Sequence, residues 1–307
     1  MSWLVFAFSG PVLWAISVHL DKYLVERFFK ESSVAVLLVF TAFVGLAFLP
    51  FIWFFEPNVA AIPPASIGLI AVSGILYMGA MLLYLHALQG EEASVVAPFF
   101  QTSPLFGFVL AYLVLGETLS QLQMIGGGLI IVGALIVSIQ FGRQPAAGRG
   151  FKARLALLML ACGFALALAS LIFKVFAIRV DFWTTTFWMF VGEAAFGAGL
   201  LAVGEYRRQF IEVLRTNTAA LVSINASNEL INLGGGLGNR YALMFAPLSL
   251  VQAIGSTTTV FVFLFGVVLS LVVPGLGRED LSARQLLQKG IAASLVAAGV
   301  ALVTRSG

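Results

Sequence analysis

Hydrophobic residues dominate this chain in long unbroken runs, and polar residues gather between them. The runs cover 3–27, 33–55, 66–89, 93–115, 120–140, 154–178, 183–204, 217–241, 246–272 and 285–304, each closed by charges, proline or glycine. None alternates apolar with polar positions as the strands of a membrane barrel do. A run of about 20 apolar residues matches the hydrocarbon thickness of a bilayer. Inside lipid every backbone amide must find its partner within the segment, so such runs must be helices. The pattern therefore predicts an all-α membrane protein with ten transmembrane helices.

Three connections are longer than the rest. Residues 141–153 are polar and glycine-rich and read as a linker. Residues 205–216 mix Arg207, Arg208 and Arg215 with Phe210, Ile211, Val213 and Leu214, which suits a short helix lying at the membrane surface. Residues 273–284 form the third.

The two halves repeat. Tyr84–Leu115 aligns without gaps on Asn239–Ser270 at an offset of 155, pairing Ala87-Leu88 with Ala242-Leu243, Ser94 with Ser249, Thr102 with Thr257 and Phe106 with Phe261. Near the two starts, Ala15, Lys22 and Arg27 fall on Ala167, Lys174 and Arg179 at an offset of 152. Five spans is an odd number, so the second repeat enters the membrane upside down. The expected layout is two inverted five-helix repeats, 1–142 and 154–307, joined by 143–153. Many secondary transporters share it, with the solute site near midplane where the repeats meet.

Composition agrees with lipid immersion. The 307 residues are 60% hydrophobic and 10% charged, against about 25% charge in an average soluble domain. The net charge of +3 is too small and scattered for a nucleic-acid partner. One cysteine, Cys162, rules out an intrachain disulfide, and two histidines, His19 and His86, cannot build a metal site alone. No convergent catalytic constellation is visible, so an enzyme is not expected. No cofactor motif appears either; Gly126-Gly127-Gly128 lies inside an apolar run and is no phosphate loop. The start of the chain lacks a basic region and a small-residue cleavage site, so it reads as a retained first helix.

One stretch carries a family resemblance. Ala87-Leu88, the Ser94–Leu105 helix start with Pro104, the turn Leu115-Gly116-Glu117-Thr118-Leu119-Ser120 and the glycines from Gly126 to Gly133 stand in order. This segment resembles the EamA domain of the drug/metabolite transporter superfamily, and a weaker second copy runs from Tyr241 to Val303. The resemblance implies a ten-helix transporter of a small solute. It does not choose among amino acids, nucleotide sugars, drugs and other metabolites.

A charged side chain at the bilayer centre costs about 2.5–3.5 kcal/mol on insertion scales, so one found there needs a reason. Glu193 and Glu229 fall in the middle of their runs. Asn225, Asn228, Glu229, Asn232 and Asn239 recur at helical spacing and form one polar stripe, which must face the bundle interior or a water-filled path. That stripe suits a solute path with Glu229 as proton carrier or cation ligand; interhelical hydrogen bonds that fix packing are the competing account. Glu193 stands alone between Gly192 and Ala194. Lys174 either reaches for the membrane surface or pairs with Glu193 or Glu229. Gln101, Gln252 and Ser256 are inner polar candidates on the fourth and ninth spans, and Trp14, Tyr77 and Tyr84 could wall a site for a cation or ring. Lys22 and Asp21 read as a surface pair. Gly234-Gly235-Gly236 and Gly238 point to close helix approach or a bend.

Loops after odd-numbered spans hold thirteen Lys or Arg and the other side three, Arg179, Arg240 and Arg305. That bias places the odd-span loops in the cytoplasm and both termini outside. The function that follows is secondary transport of a small polar or amphipathic solute, with a lipid or glycolipid flippase as the alternative. Its partners are the solute and membrane lipids, as a monomer or homodimer, in a membrane expected to be the bacterial inner one.

Overall fold

The computed structural model describes residues 2–28, 34–90, 102–138, 153–216, 218–272 and 283–305. All regular structure among them is helical. In chain order the helices are α1 (Ser2–Phe28), α2 (Val34–Val44), α3 (Leu49–Phe55), α4 (Pro64–Gly90), α5 (Thr102–Leu115), α6 (Gln121–Ser138) and α7 (Ala153–Arg179). They continue with α8 (Phe182–Ala202), α9 (Gly204–Thr216), α10 (Thr218–Ala242), α11 (Leu248–Gly255), α12 (Thr258–Val272) and α13 (Ala283–Arg305). A single 3-10 turn, Gly45–Phe48, joins α2 to α3.

Six stretches of the described residues are long and apolar enough to cross a membrane: Trp3–Asp21, Val36–Phe55, Pro64–Ala87, Leu157–Arg179, Phe182–Ala202 and Leu248–Leu269. Thr102–Leu115, Gln121–Ile136 and Leu287–Val303 are shorter apolar helices. Helix α10 is not among them, although it runs 25 residues without interruption, because it carries Glu229, Arg240 and several asparagines. The outward faces are oily: Phe51, Phe54, Phe55, Leu113 and Leu157 are all exposed. The chain is an integral, multi-pass membrane protein.

Long-range packing joins α1 to α10 and α12, α4 to α7 and α8, α5 to α7 and α11, α6 to α13, and α2 to α8 and α10. Small residues set the closest of these contacts. A Cβ on Gly74 of α4 would stand 2.8 Å from the Glu193 amide on α8, and one on Gly126 of α6 would stand 2.7 Å from the Gly299 carbonyl on α13. On α10, Gly235 faces Leu13 and Trp14 of α1, and Gly238 faces Ser9. The glycine-rich stretch is a close approach within an unbroken helix, not a break in it.

One expectation needs correction. The run 246–272 is not one continuous helix: it breaks at Ser256 and Thr257 between α11 and α12. Four consecutive hydroxyls explain the break. Ser256, Thr257, Thr258 and Thr259 donate to the carbonyls of Gln252, Ile254, Gly255 and Ser256, and the Thr257 amide reaches Ile254 at 2.9 Å. Side chains competing for backbone acceptors tighten the turn. Residues 205–216 do form a short helix, α9: Phe210 and Val213 pack with Leu24, Val36 and Phe40, while Ile211, Arg207, Arg208 and Arg215 are exposed. The linker 143–152 and the acids Glu91 and Glu92 lie outside the described residues.

Candidate functional site

The polar stripe of α10 is buried. Asn225, Asn228 and Glu229 are 3%, 1% and 4% exposed, and Asn232 and Asn239 are half-buried on the same face. An uninterrupted helix rises about 1.5 Å per residue, so the stripe from Asn225 to Asn239 extends roughly 21 Å, most of a bilayer core.

Glu229 sits against α2. Its Oε1 accepts a hydrogen bond from Thr41 Oγ1 at 2.8 Å. Its Oε2 is buried and has no donor among the described residues. Asn225 Oδ1, Asn239 Oδ1 and Gln252 Oε1 share that condition. Leaving a buried acceptor unpaired costs about 1–3 kcal/mol, more for a charged group, so it needs an explanation.

Asn228 bridges to α1. It accepts from Ser17 Oγ at 2.8 Å and donates through Nδ2 to Asp21 Oδ1 at 2.6 Å. Asp21 is therefore not half of a surface pair: its carboxylate turns inward onto α10. Nearby on α1, His19 Nε2 meets the Val262 carbonyl at 3.0 Å.

Glu193 is not solitary. Arg240 Nη2 donates to its Oε1 at 2.7 Å, and both side chains are buried. The Arg240 guanidinium stands 5.4, 5.9 and 5.7 Å from the rings of Tyr77, Phe173 and Phe190, on α4, α7 and α8. Rings at this distance stabilise a cation electrostatically. Arg240 was counted among the outer loop charges; the helix continues past it to Ala242 and draws it inside.

Lys174 neither reaches the surface nor pairs with Glu193 or Glu229. It forms an ion pair with Glu117 and donates to the Ala246 carbonyl at 2.5 Å. Glu117 Oε2 in turn accepts from the Leu248 amide at 2.9 Å, at the start of α11. A carboxylate there fills one of the donors that a helix N-terminus leaves unpaired. Gly116, with φ of 66°, makes the turn that presents Glu117, a conformation glycine adopts without steric cost.

The remaining candidates scatter. Trp14 lies over Gly235, and Tyr77 over Arg240. Gln252 lies against Gly107 of α5. The Ser256 hydroxyl is turned back on its own helix at 3.3 Å. Gln101 lies outside the described residues.

Four participants were missed: Thr41, Asp21, Glu117 and Arg240. Arg240 had a signal, since it follows Glu229 by eleven residues, three turns of helix, and so shares its face. Asp21 follows Ser17 by one turn in the same way. Nothing in the sequence marks Thr41.

Of the titratable side chains brought inside, two pairs neutralise themselves, Lys174 with Glu117 and Arg240 with Glu193. Asp21 and Glu229 have no cation among the described residues. The site can therefore hold positive charge, as a proton or as a solute.

Residues 1–139 match the EamA-like transporter family. An uncharacterized protein of Methanocaldococcus jannaschii, MJ1333.1, is 42% identical over 65 residues, which take in 21% of this chain. The chain spans about half of that relative's length, 47%. A crystal structure described only as that of a protein superposes with a TM-score of 0.72 at 16% identity, over 99% of this chain and 96% of that one. At that identity the likeness speaks to the fold alone.

Proposed function

We propose that this protein, an EamA-like transporter of the drug/metabolite transporter superfamily over residues 1–139, is a secondary carrier of a small polar or amphipathic metabolite of amine, amino-acid or nucleoside type. Its family is one of transporters, not of enzymes. Ten spans, arranged as inverted repeats 1–142 and 154–307 around the linker 143–153, rock against each other to expose the site alternately to the two sides.

The packing supports the repeat. Exchange α1 with α7, α2 with α8, α4 with α10, α5 with α11–α12 and α6 with α13. The contact α1–α10 becomes α7–α4, α1–α12 becomes α7–α5, and α4–α8 becomes α10–α2, all of which occur. The contacts α2–α8, α5–α11 and α6–α13 map onto themselves. A pseudo-two-fold relation gives this pattern, and two such halves place a solute site where they meet.

Glu229 carries the functional reading. One oxygen is held by Thr41 of the first half, and the other is buried with no donor among the described residues. A carboxylate kept so inside a membrane protein marks a proton or solute path. Asn225, Asn228 and Asn232 extend the wall, while Lys174 and Glu193 hold the frame through the ion pairs and Tyr77 stands against Arg240.

The test is the unfolding temperature of the detergent-purified protein against a metabolite panel at two pH values, beside Glu229→Gln. A ligand at 100 times its dissociation constant adds about 2.7 kcal/mol. The expected result is a shift from an amine, amino acid or nucleoside that the variant loses. A shift from lipid-linked compounds alone would replace the carrier by a flippase.

A further inference from the structure

We propose that the solute is a dication, held by Asp21 and Glu229 together, so that the site takes compounds with two amino groups in preference to those with one. The proposal rests on the carrier reading and names its substrate class.

Both carboxylates lie at the same level of α10. Asp21 reaches it through Asn228, and Glu229 is the next residue along. They approach from different helices, Asp21 from α1 and Glu229 toward Thr41 of α2. The Asn228 amide has Ser17 on its oxygen and Asp21 on its nitrogen. Each carboxylate thus has its own described partner, Asn228 for Asp21 and Thr41 for Glu229.

The other buried charges among the described residues are engaged elsewhere. Lys174 and Arg240 are each committed to Glu117 and Glu193, and the His19 ring is engaged with the Val262 carbonyl. Among the described residues Glu229 Oε2 has no donor, and neither has Asn225 Oδ1, on an asparagine only 3% exposed, one helical turn before Glu229 on the same face. An ammonium group brings three donors and one charge. One ammonium meets Glu229 and Asn225, and a second meets Asp21, which is only half-buried and so reachable from outside. A singly charged amine leaves one of the two carboxylates uncompensated, which the low-dielectric interior penalises.

The full-length protein in detergent is titrated calorimetrically with 1,5-diaminopentane and with 1-aminopentane, which differ by one ammonium group. The diamine is expected to bind at least tenfold more tightly. Asp21→Asn keeps an oxygen for the Asn228 amide, and it is expected to bring that ratio close to one. Equal affinity of the two amines for the unmodified protein would overturn the proposal, as would a ratio that survives in Asp21→Asn or no binding of either compound. The unfolding temperature of unliganded Asp21→Asn separates misfolding from lost recognition; Asp21→Glu, which restores the charge, is expected to restore the preference. Glu229→Gln reports on the broader reading. If it weakens both amines while the ratio in Asp21→Asn stays high, the dication is wrong and the carrier site at Glu229 stands. If it weakens neither, the site itself is misplaced.

Discussion

Arg240 on α10 donates to Glu193 on α8 across 2.7 Å, and three aromatic rings from three other helices stand 5.4–5.9 Å from its guanidinium. The arginine therefore has two kinds of support, while the glutamate has one described partner. Arg240→Met should be much the more damaging change, because it leaves a buried carboxylate bare; breaking such a pair costs about 3–5 kcal/mol. Glu193→Gln keeps an oxygen for the guanidinium and the rings around it, and should cost roughly 1–2 kcal/mol, in the range of single hydrogen bonds to charged groups. Denaturant unfolding in detergent measures both. The reverse order would show that the rings do not hold the arginine.

Lys174 and Glu117 tie α7, the turn before α6 and the start of α11 into one knot. Their contributions should be strongly coupled. In a double-mutant cycle of Lys174→Met and Glu117→Gln, the double variant should be more stable than the sum of the singles predicts by about 1 kcal/mol or more. Additive losses would mean the two residues act separately.

The α4–α8 contact depends on missing side chains. A methyl group on Gly74 would press on the α8 backbone at the Glu193 amide, 2.8 Å away. Gly74→Ala should cost about 1–3 kcal/mol, as overpacking does, and should lower transport by displacing Glu193. Gly68→Ala on the same helix meets nothing within 4 Å and should be close to neutral. Equal effects from the two would rule out close approach as the reason for glycine at 74.

Thr41 supplies the described hydrogen bond to Glu229. Thr41→Val keeps the shape and removes the donor, while Thr41→Ser keeps the donor. A hydrogen bond to a charged group is worth about 1.5–3 kcal/mol, so the valine variant should bind solute at least tenfold more weakly or change its pH profile. The serine variant should behave like the parent. Identical profiles for all three would detach Thr41 from the site.

Orientation is open to direct measurement. The Lys and Arg bias puts both termini outside. Cys162 is fully buried, with Sγ 3.3 Å from the Ala80 carbonyl, so a cysteine appended after Gly307 would be the reactive thiol. Labelling by an impermeant reagent in intact cells is expected, and protection would reverse the assignment.

Much of this protein was legible in one dimension. Lipid allows few backbone solutions, so apolar runs long enough to cross had to be helices. Helical spacing alone placed Asn225, Asn228, Glu229 and Asn232 on one face, and the cost of exposing that face to lipid turned it inward. The break between α11 and α12 was written in Ser256 to Thr259, but as a contest between hydroxyls and amides that hydropathy does not register. The partners could not be read, because they lie far apart in sequence: Arg240 with Glu193, Lys174 with Glu117, Asp21 with Asn228. A charge near the end of a run looks the same whether it faces headgroups or a buried acid. Only the packing of α10 against α1, α2 and α8 decided which acids found a cation among the described residues.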